Sequence, residues 1–256
     1  LEKLKSIISG LPSLEKVIII DYLNKETNIN NIDFGIKYSD FLAKSPNPIK
    51  FEQLPFDHPL YIMFSSGTTG LPKSIVHSSG GTLIQHLKEL SLHCDLKRND
   101  TIFYYTTCGW MMWNWLISSL GIGCKIVLYD GSPFYPNENT MWELAEEFGI
   151  TIFGTSAKYL DTCREKKLQP GKNYNLSKIK TILSTGSPLT DKCFDFVYKH
   201  ISPKVLLGSI SGGTDIISCF ALTNPMLPVI RGEIQCRGLA MDVHSYNSMG
   251  DSVINE

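Results

Sequence analysis

No C-x-x-C pair occurs in this chain of 256 residues, although it holds seven cysteines. The nearest two are Cys94 and Cys108, so zinc ribbons and thioredoxin-like redox motifs lack their usual signature. Scattered thiols in a long chain fit a reducing compartment, which gives a cytosolic expectation. An excess of charge of one sign is also missing. The 24 Lys+Arg and 25 Asp+Glu leave a net charge of -1, which excludes a generally basic nucleic-acid binder and a disordered acidic tail. No nucleic-acid partner is expected. Long apolar runs are absent too. The most apolar stretch, Trp110 to Leu128, is broken by Asn114, Ser118, Ser119 and Lys125. A bilayer span needs ~20 mostly apolar residues, so this stretch reads as a buried helix followed by a strand, and no membrane partner is expected. No signal-peptide pattern is visible. The first residue is Leu1 and not Met, which gives the expectation that the natural start lies upstream.

What is present is an apolar fraction of 43%, enough for a sizeable core without disulfides or metals. Short apolar runs alternate with helical patterns. A short helix covers Leu1 to Ile8, and Val17-Ile-Ile-Ile is β-branched and continuous, like a buried parallel strand. Residues 23–50 are rich in Asn, Lys and Asp and read as a surface excursion. A strand is predicted at Leu60 to Phe64, followed by a Ser/Thr/Gly-rich turn and then a helix from Gly81 to His93. Further strands are predicted at 101–105, 125–129, 151–153, 179–183, 205–207 and 216–222, with helices at 113–120, 140–148 and 191–200. This alternation predicts βαβ units, hence an α/β fold with mainly parallel sheets and flanking helices. No clear linker divides the chain, so residues 1–256 are expected to form one unit.

The sharpest local pattern is Ser65-Ser-Gly-Thr-Thr-Gly-Leu-Pro-Lys73, directly after a predicted strand. Gly67 and Gly70 let the backbone turn tightly and come close to an anion, and freed N–H groups can then form a nest. Ser65, Ser66, Thr68 and Thr69 add hydroxyl donors, and Lys73 adds a fixed positive charge. The combination suits a polyphosphate. It is not a Walker A loop, which requires Gly immediately before the Lys, where this chain has Pro72. Gly121-Ile-Gly123 lacks the third glycine of a dinucleotide fingerprint. G-x-S-x-G and H-E-x-x-H are both absent, which weakens serine-hydrolase and zinc-protease readings.

The full string S-S-G-T-T-G-x-P-K resembles the phosphate loop of the adenylate-forming superfamily, which includes acyl-CoA synthetases, luciferases and nonribosomal adenylation domains. Other stretches follow in the expected order. Ser184-Thr-Gly-Ser-Pro188 resembles the loop whose backbone lies against adenine, which implicates Gly186, Ser187 and Pro188. Read alone it is a strand-to-helix turn with Thr190 or Asp191 as cap. Gly212-Gly-Thr-Asp215 resembles the motif in which a Thr and an acidic residue face the phosphates and Mg2+. The resemblance therefore makes Gly212 and Gly213 nucleotide-binding, Thr214 and Asp215 metal-side residues, and Lys73 and Thr214 catalytic. Here Asp replaces the commoner Glu, and Ser211 stands where many members carry an adenine-stacking aromatic. Trp110-Met-Met-Trp-Asn-Trp115 corresponds to the acyl-pocket region of short-chain members, giving Trp110, Met111, Thr185 and Gly212 as pocket residues, while Trp113 and Trp115 read as core. Acetate-specific relatives place a Trp at the position of Gly212, so glycine leaves room for a longer acid. Together with Pro72–His77, Gly81–Lys88, Leu128–Pro133 and Gly232–Gln235, these stretches are similar to the acetoacetate–CoA ligases of that superfamily.

The resemblance implies a partial N-terminal AMP-binding (adenylation) domain over residues 1–256. It also implies ATP-dependent ligation of acetoacetate to coenzyme A through an acyl-adenylate. The expected cofactors and partners are ATP, Mg2+, coenzyme A as co-substrate, and acetoacetate. An acetyl- or other short-chain acyl-CoA synthetase is the second reading. A catalytically inactive nucleotide-binding or interaction fragment is the third. Full-length members add a ribose-binding Asp, a hinge and a mobile C-terminal domain with a catalytic Lys. None is found before Glu256, so the expectation is a fragment impaired in catalysis, with strand edges and apolar surface left uncovered. His77 reads as a helix-start or core residue. His86 and His93 share a predicted helix face, without a third ligand for a metal.

Overall fold

The β-branched and aromatic runs that alternate with helical segments do form strands in the computed structural model, which describes residues 2–22, 27–43, 45, 47–65 and 70–253. Backbone packing divides the chain into two compact units, residues 1–53 and 54–256. No clear linker in the sequence marks this division. The first unit carries α1 (Glu2–Ser9), β1 (Val17–Ile19), β2 (Gly35–Lys37) and α2 (Tyr38–Phe41). β1 pairs parallel with β2, Val17 opposite Gly35. The expected surface excursion over 23–50 thus contains a strand and a helical turn. Among its described residues, Ile32 is the sole buried apolar side chain in this unit.

The second unit opens with β3 (Pro59–Ser65) and β4 (Lys73–Ser78), an antiparallel pair in which Ser65 stands opposite Lys73. Between the glycine-rich turn and the helix expected from Gly81 to His93 the chain returns as β4, which was not anticipated. Lys73-Ser-Ile-Val-His-Ser is half-exposed and mostly polar, so no apolar run announces the strand. Leu60, Ile62, Phe64 and Val76 are exposed on this hairpin, in line with the expected uncovered apolar surface. α3 (Ser79–Lys88) follows and is prolonged by a π-turn, Glu89–His93.

The centre of the unit is a five-stranded parallel sheet. In chain order its strands and helices are β5 (Thr101–Tyr104), α4 (Met111–Ser118), β6 (Lys125–Val127), α5 (Thr140–Glu147), β7 (Ile152–Ser156), α6 (Ala157–Glu165), α7 (Pro170–Asn173), β8 (Thr181–Thr185), α8 (Asp191–Phe196) and β9 (Leu206–Ser209), and the strands lie in the order β6-β5-β7-β8-β9. Every residue of β5 is buried, as a sheet covered on both faces requires. Successive side chains point to opposite faces, and this sorts the core. Phe103, Phe153 and Ile182 pack with Trp142, Leu160 and Phe194 from α5, α6 and α8. Their neighbours Ile102, Ile152 and Leu183 pack with Leu90, Met112 and Trp115 on the other face. The expected α/β class with flanking helices is therefore the observed one. α6 was not anticipated. Ser156 caps it by accepting the Tyr159 N–H at 3.2 Å, and it buries Tyr159, Leu160 and Cys163.

The predicted strand at 216–222 is shorter and lies elsewhere. It is β11 (Ser218–Leu222), in an antiparallel three-stranded sheet with β10 (Ser211–Gly213) and β12 (Cys236–Arg237). Ile217 has a left-handed φ of 49°, which ends the strand there. Among the described residues no helix is long and apolar enough to cross a membrane.

Candidate active site

Open parallel sheets bind ligands beyond the carboxyl ends of their strands, and three chain segments meet at that place here. The first is the loop after β8. Gly186 adopts φ +91° with no atom within 4 Å of where a Cβ would stand, so conformation, not crowding, calls for glycine. Thr185 Oγ1 donates to the Ile210 carbonyl at 2.9 Å, tying this loop to the second segment. That segment runs from Ser209 through β10 to Thr214. A Cβ on Gly212 would overlap the Ser218 carbonyl of β11, so the narrow β10–β11 hairpin itself demands glycine there. The third is the start of α4, where Trp110 is half-buried and Met111 and Met112 are buried.

Together they enclose a cavity of about 520 Å3, lined by Trp110, Met111, Thr185, Gly186, Ser187 and Pro188 on one side and by Gly212, Gly213 and Thr214 on the other. The volume suits a small organic ligand, which takes ~300–1,000 Å3. Met112, Leu189, Ile210, Cys219 and Ile234 also line it. None of these was singled out from sequence, because an apolar wall residue carries no chemical pattern. Ser211 lines it as well, where the resemblance leads one to expect an aromatic.

Lys73, Ser65 and Gly70 are not among the lining residues. Lys73 and Ser65 face each other across the open end of the β3–β4 hairpin. Ser66, Gly67, Thr68 and Thr69 lie outside the described residues. The hairpin is nonetheless joined to the cavity wall. His77 Nε2 donates to the Thr214 carbonyl at 2.9 Å. Alternation along β4 puts Lys73 on the same strand face as His77, hence on the side of Thr214. His77, read from sequence as a helix-start or core residue, is in fact this link. Asp215 is exposed, and its Oδ2 lies 3.6 Å from where a Gly213 Cβ would stand, so its carboxylate borders the cavity wall. Among the described residues no three His, Cys, Asp or Glu side chains come together as a metal site. A Mg2+ ion shared with phosphate oxygens needs no such set, because one or two carboxylates suffice. Trp115 is fully buried in the core, as read from sequence, whereas Trp113 is half-buried and belongs to neither apolar cluster.

Residues 1–234 match the family model of AMP-binding enzymes. The acetoacetyl-CoA synthetase of Gallus gallus is 55% identical over 262 residues, covering 100% of this chain and 39% of the chicken protein. The acetoacetyl-coenzyme A synthetase of Rhizobium meliloti is 53% identical, over 88% of this chain and 35% of its own length. A solved acetoacetyl-CoA synthetase from Streptomyces lividans is similar with a TM-score of 0.89 at 44% identity, covering 100% of this chain and 39% of that one. The chain thus spans well under half the length of these relatives. With glycine-bearing loops gathered at the carboxyl ends of a parallel sheet and a family match over nearly its whole length, this chain belongs to the AMP-binding enzyme family.

Proposed function

We propose that residues 1–256 are a partial AMP-binding domain of an acetoacetate–CoA ligase and carry its adenylation site. One observation carries the reading: a single cavity gathers Trp110, Met111, Thr185, Gly186, Ser187, Pro188, Gly212, Gly213 and Thr214, the residues that the sequence motifs point to. In the reaction the carboxylate of acetoacetate attacks the α-phosphorus of ATP, forming acetoacetyl-AMP and releasing pyrophosphate. The thiol of coenzyme A then displaces AMP. Positioning and charge neutralisation carry the first step, so no protein nucleophile is required.

In this reading the Gly186–Pro188 loop receives adenine. Lys73, with the hydroxyls of Ser65, Ser66, Thr68 and Thr69 and the glycines Gly67 and Gly70, holds the β- and γ-phosphates. Asp215 and the Thr214 hydroxyl would hold Mg2+, which would supply charge neutralisation for the pyrophosphate. Trp110 and Met111 wall the acid. The proposed site of action is the cytosol, with acetoacetate, ATP and coenzyme A as partners and neither nucleic acid nor a membrane among them.

Equilibrium binding of ATP to residues 1–256, paired with acetoacetate-dependent ATP–pyrophosphate exchange in a longer ligase carrying this segment, tests the reading. Lys73→Ala is expected to weaken ATP binding about tenfold, the loss of one charge-assisted phosphate contact. Exchange is expected to prefer acetoacetate to acetate and butyrate. ATP affinity that ignores Lys73→Ala would sink the assignment of the loop. Preference for acetate would move the reading to a short-chain acyl-CoA synthetase.

A further inference from the structure

Glu89 is fully buried, where a carboxylate is tolerated only when donors surround it. It opens the π-turn that prolongs α3. Its Oε2 accepts the Trp115 indole N–H at 2.9 Å. Its Oε1 accepts the Ser218 hydroxyl, the Gln85 side-chain amide at 3.0 Å and the Cys219 backbone N–H at 3.2 Å. The Lys88 ammonium lies 4.0 Å from the same oxygen. Each of these partners presents a donor to one of the two acceptor oxygens of the side chain.

These donors belong to two walls of the cavity. Trp115 is on α4, whose first residues, Met111 and Met112, line it. Cys219 lines it directly. Ser218 and Cys219 also pair with Gly213 and Gly212 of β10. Next to Glu89 on the same helix, His86 Nε2 donates to the Ile217 carbonyl at 2.5 Å. That bond holds a β-branched residue at φ 49°, a conformation that needs outside support. One carboxylate therefore braces the α4 wall against the β10–β11 wall.

We propose that Glu89 is a positioning residue that sets the spacing between α4 and β10–β11, and with it the length of acid the adenylation site accepts. The proposal rests on the adenylation reading and concerns discrimination between acids, not capture of the nucleotide. Glu89→Gln keeps the volume but turns an N–H2 group toward donors, so one wall is released.

N-acylsulfamoyl adenosines carrying acetyl, acetoacetyl or hexanoyl groups mimic acyl-adenylates, and calorimetry on residues 1–256 compares them with ATP. The wild-type chain is expected to prefer the acetoacetyl analogue. Glu89→Gln is expected to cut that preference at least about tenfold, the scale of one methylene misfit, while ATP affinity changes less than about threefold. His93→Asn is the destabilised control. It removes buried bonds to the Thr223 carbonyl at 2.7 Å and from the Leu239 N–H at 3.0 Å, which lie on neither wall, and is expected to keep the preference. No preference in the wild type, an unchanged preference in Glu89→Gln, equal loss for every ligand, or the same loss in His93→Asn each overturns the proposal. Should Glu89→Gln fail to fold, Trp115→Phe and Ser218→Ala remove one donor each. Their effects on the preference are non-additive in the double variant if both act through Glu89, and additive effects overturn the idea. A wild-type chain that binds no analogue refutes the adenylation reading instead. The bracing is then read from amide exchange over 211–219, which Glu89→Gln and not His93→Asn accelerates; equal rates in the two variants overturn it.

Discussion

A thiol reacts as its thiolate and only where a reagent can reach it, so the seven cysteines of this chain divide by environment. Burial pushes Cys94 and Cys163 up to about 12. It also raises Cys219 well above the usual thiol value and lifts Cys124, Cys193 and Cys236. Cys108 alone is exposed, between Thr107 and Gly109 just before the α4 wall. An aromatic disulfide reagent at mildly alkaline pH is therefore expected to give one fast phase, which Cys108→Ser removes. Several fast thiols in the native chain would contradict the burial described here. The scattered spacing in the sequence already left zinc-ribbon and thioredoxin-like readings without their usual signature. What it could not show is which thiols the sheet encloses, because that depends on partners far away in sequence. The same limit applies at Gly212. The resemblance pointed to the acid pocket, whereas the structure adds a steric reason in Ser218, a residue on the neighbouring strand.

The strands of the parallel sheet were legible because each is a short apolar run covered on both faces. β4 and α6 were not, since one is polar and half-exposed, and the other hides Tyr159, Leu160 and Cys163 among Lys, Asp and Arg. α3 was legible as a helix, but not the polar side it turns to β11. His86 is fully buried, with Nδ1 2.8 Å from the Ser118 hydroxyl and Nε2 on the Ile217 carbonyl. Burial lowers its pKa, with His77 acting in the same direction and the Ile217 bond and Glu89 opposing. The folded chain thus holds His86 neutral, while the unfolded chain binds a proton below pH ~6.5. Between that value and the lower folded one the unfolded state binds more protons, so stability falls as pH falls. Thermal unfolding of His86→Gln is expected to lose part of the drop seen in wild type between about pH 7.5 and 5.5. An identical pH dependence in both proteins would show that His86 is not titrating in this window.

At the scale of the whole chain, the glycine-bearing loops were the readable part of the site, because close backbone approach leaves a mark in sequence that a buried Met or Ile does not. The division at Gln53/Leu54 was less readable, although Pro48 and Pro55 flank it. Those prolines sit in a stretch whose apolar residues look like core material, yet Ile49 and Phe51 are 80% and 78% exposed. The two units are unequal in what they bury. Among the described residues the first encloses only Ile32, and the second holds both apolar clusters on the two faces of the parallel sheet. A unit of that size with so little enclosed has small local stability, and protease cleavage follows local opening when reclosing is fast. The Lys50 side chain is exposed, with Glu52 at 3.9 Å, which puts a tryptic site at the boundary. Brief trypsin treatment is expected to cut at Lys50 first and leave a resistant fragment running from there into the 54–256 unit, identified by intact mass. First cuts within 101–209 would mean that the parallel sheet, and not residues 1–53, is the weaker part of the chain.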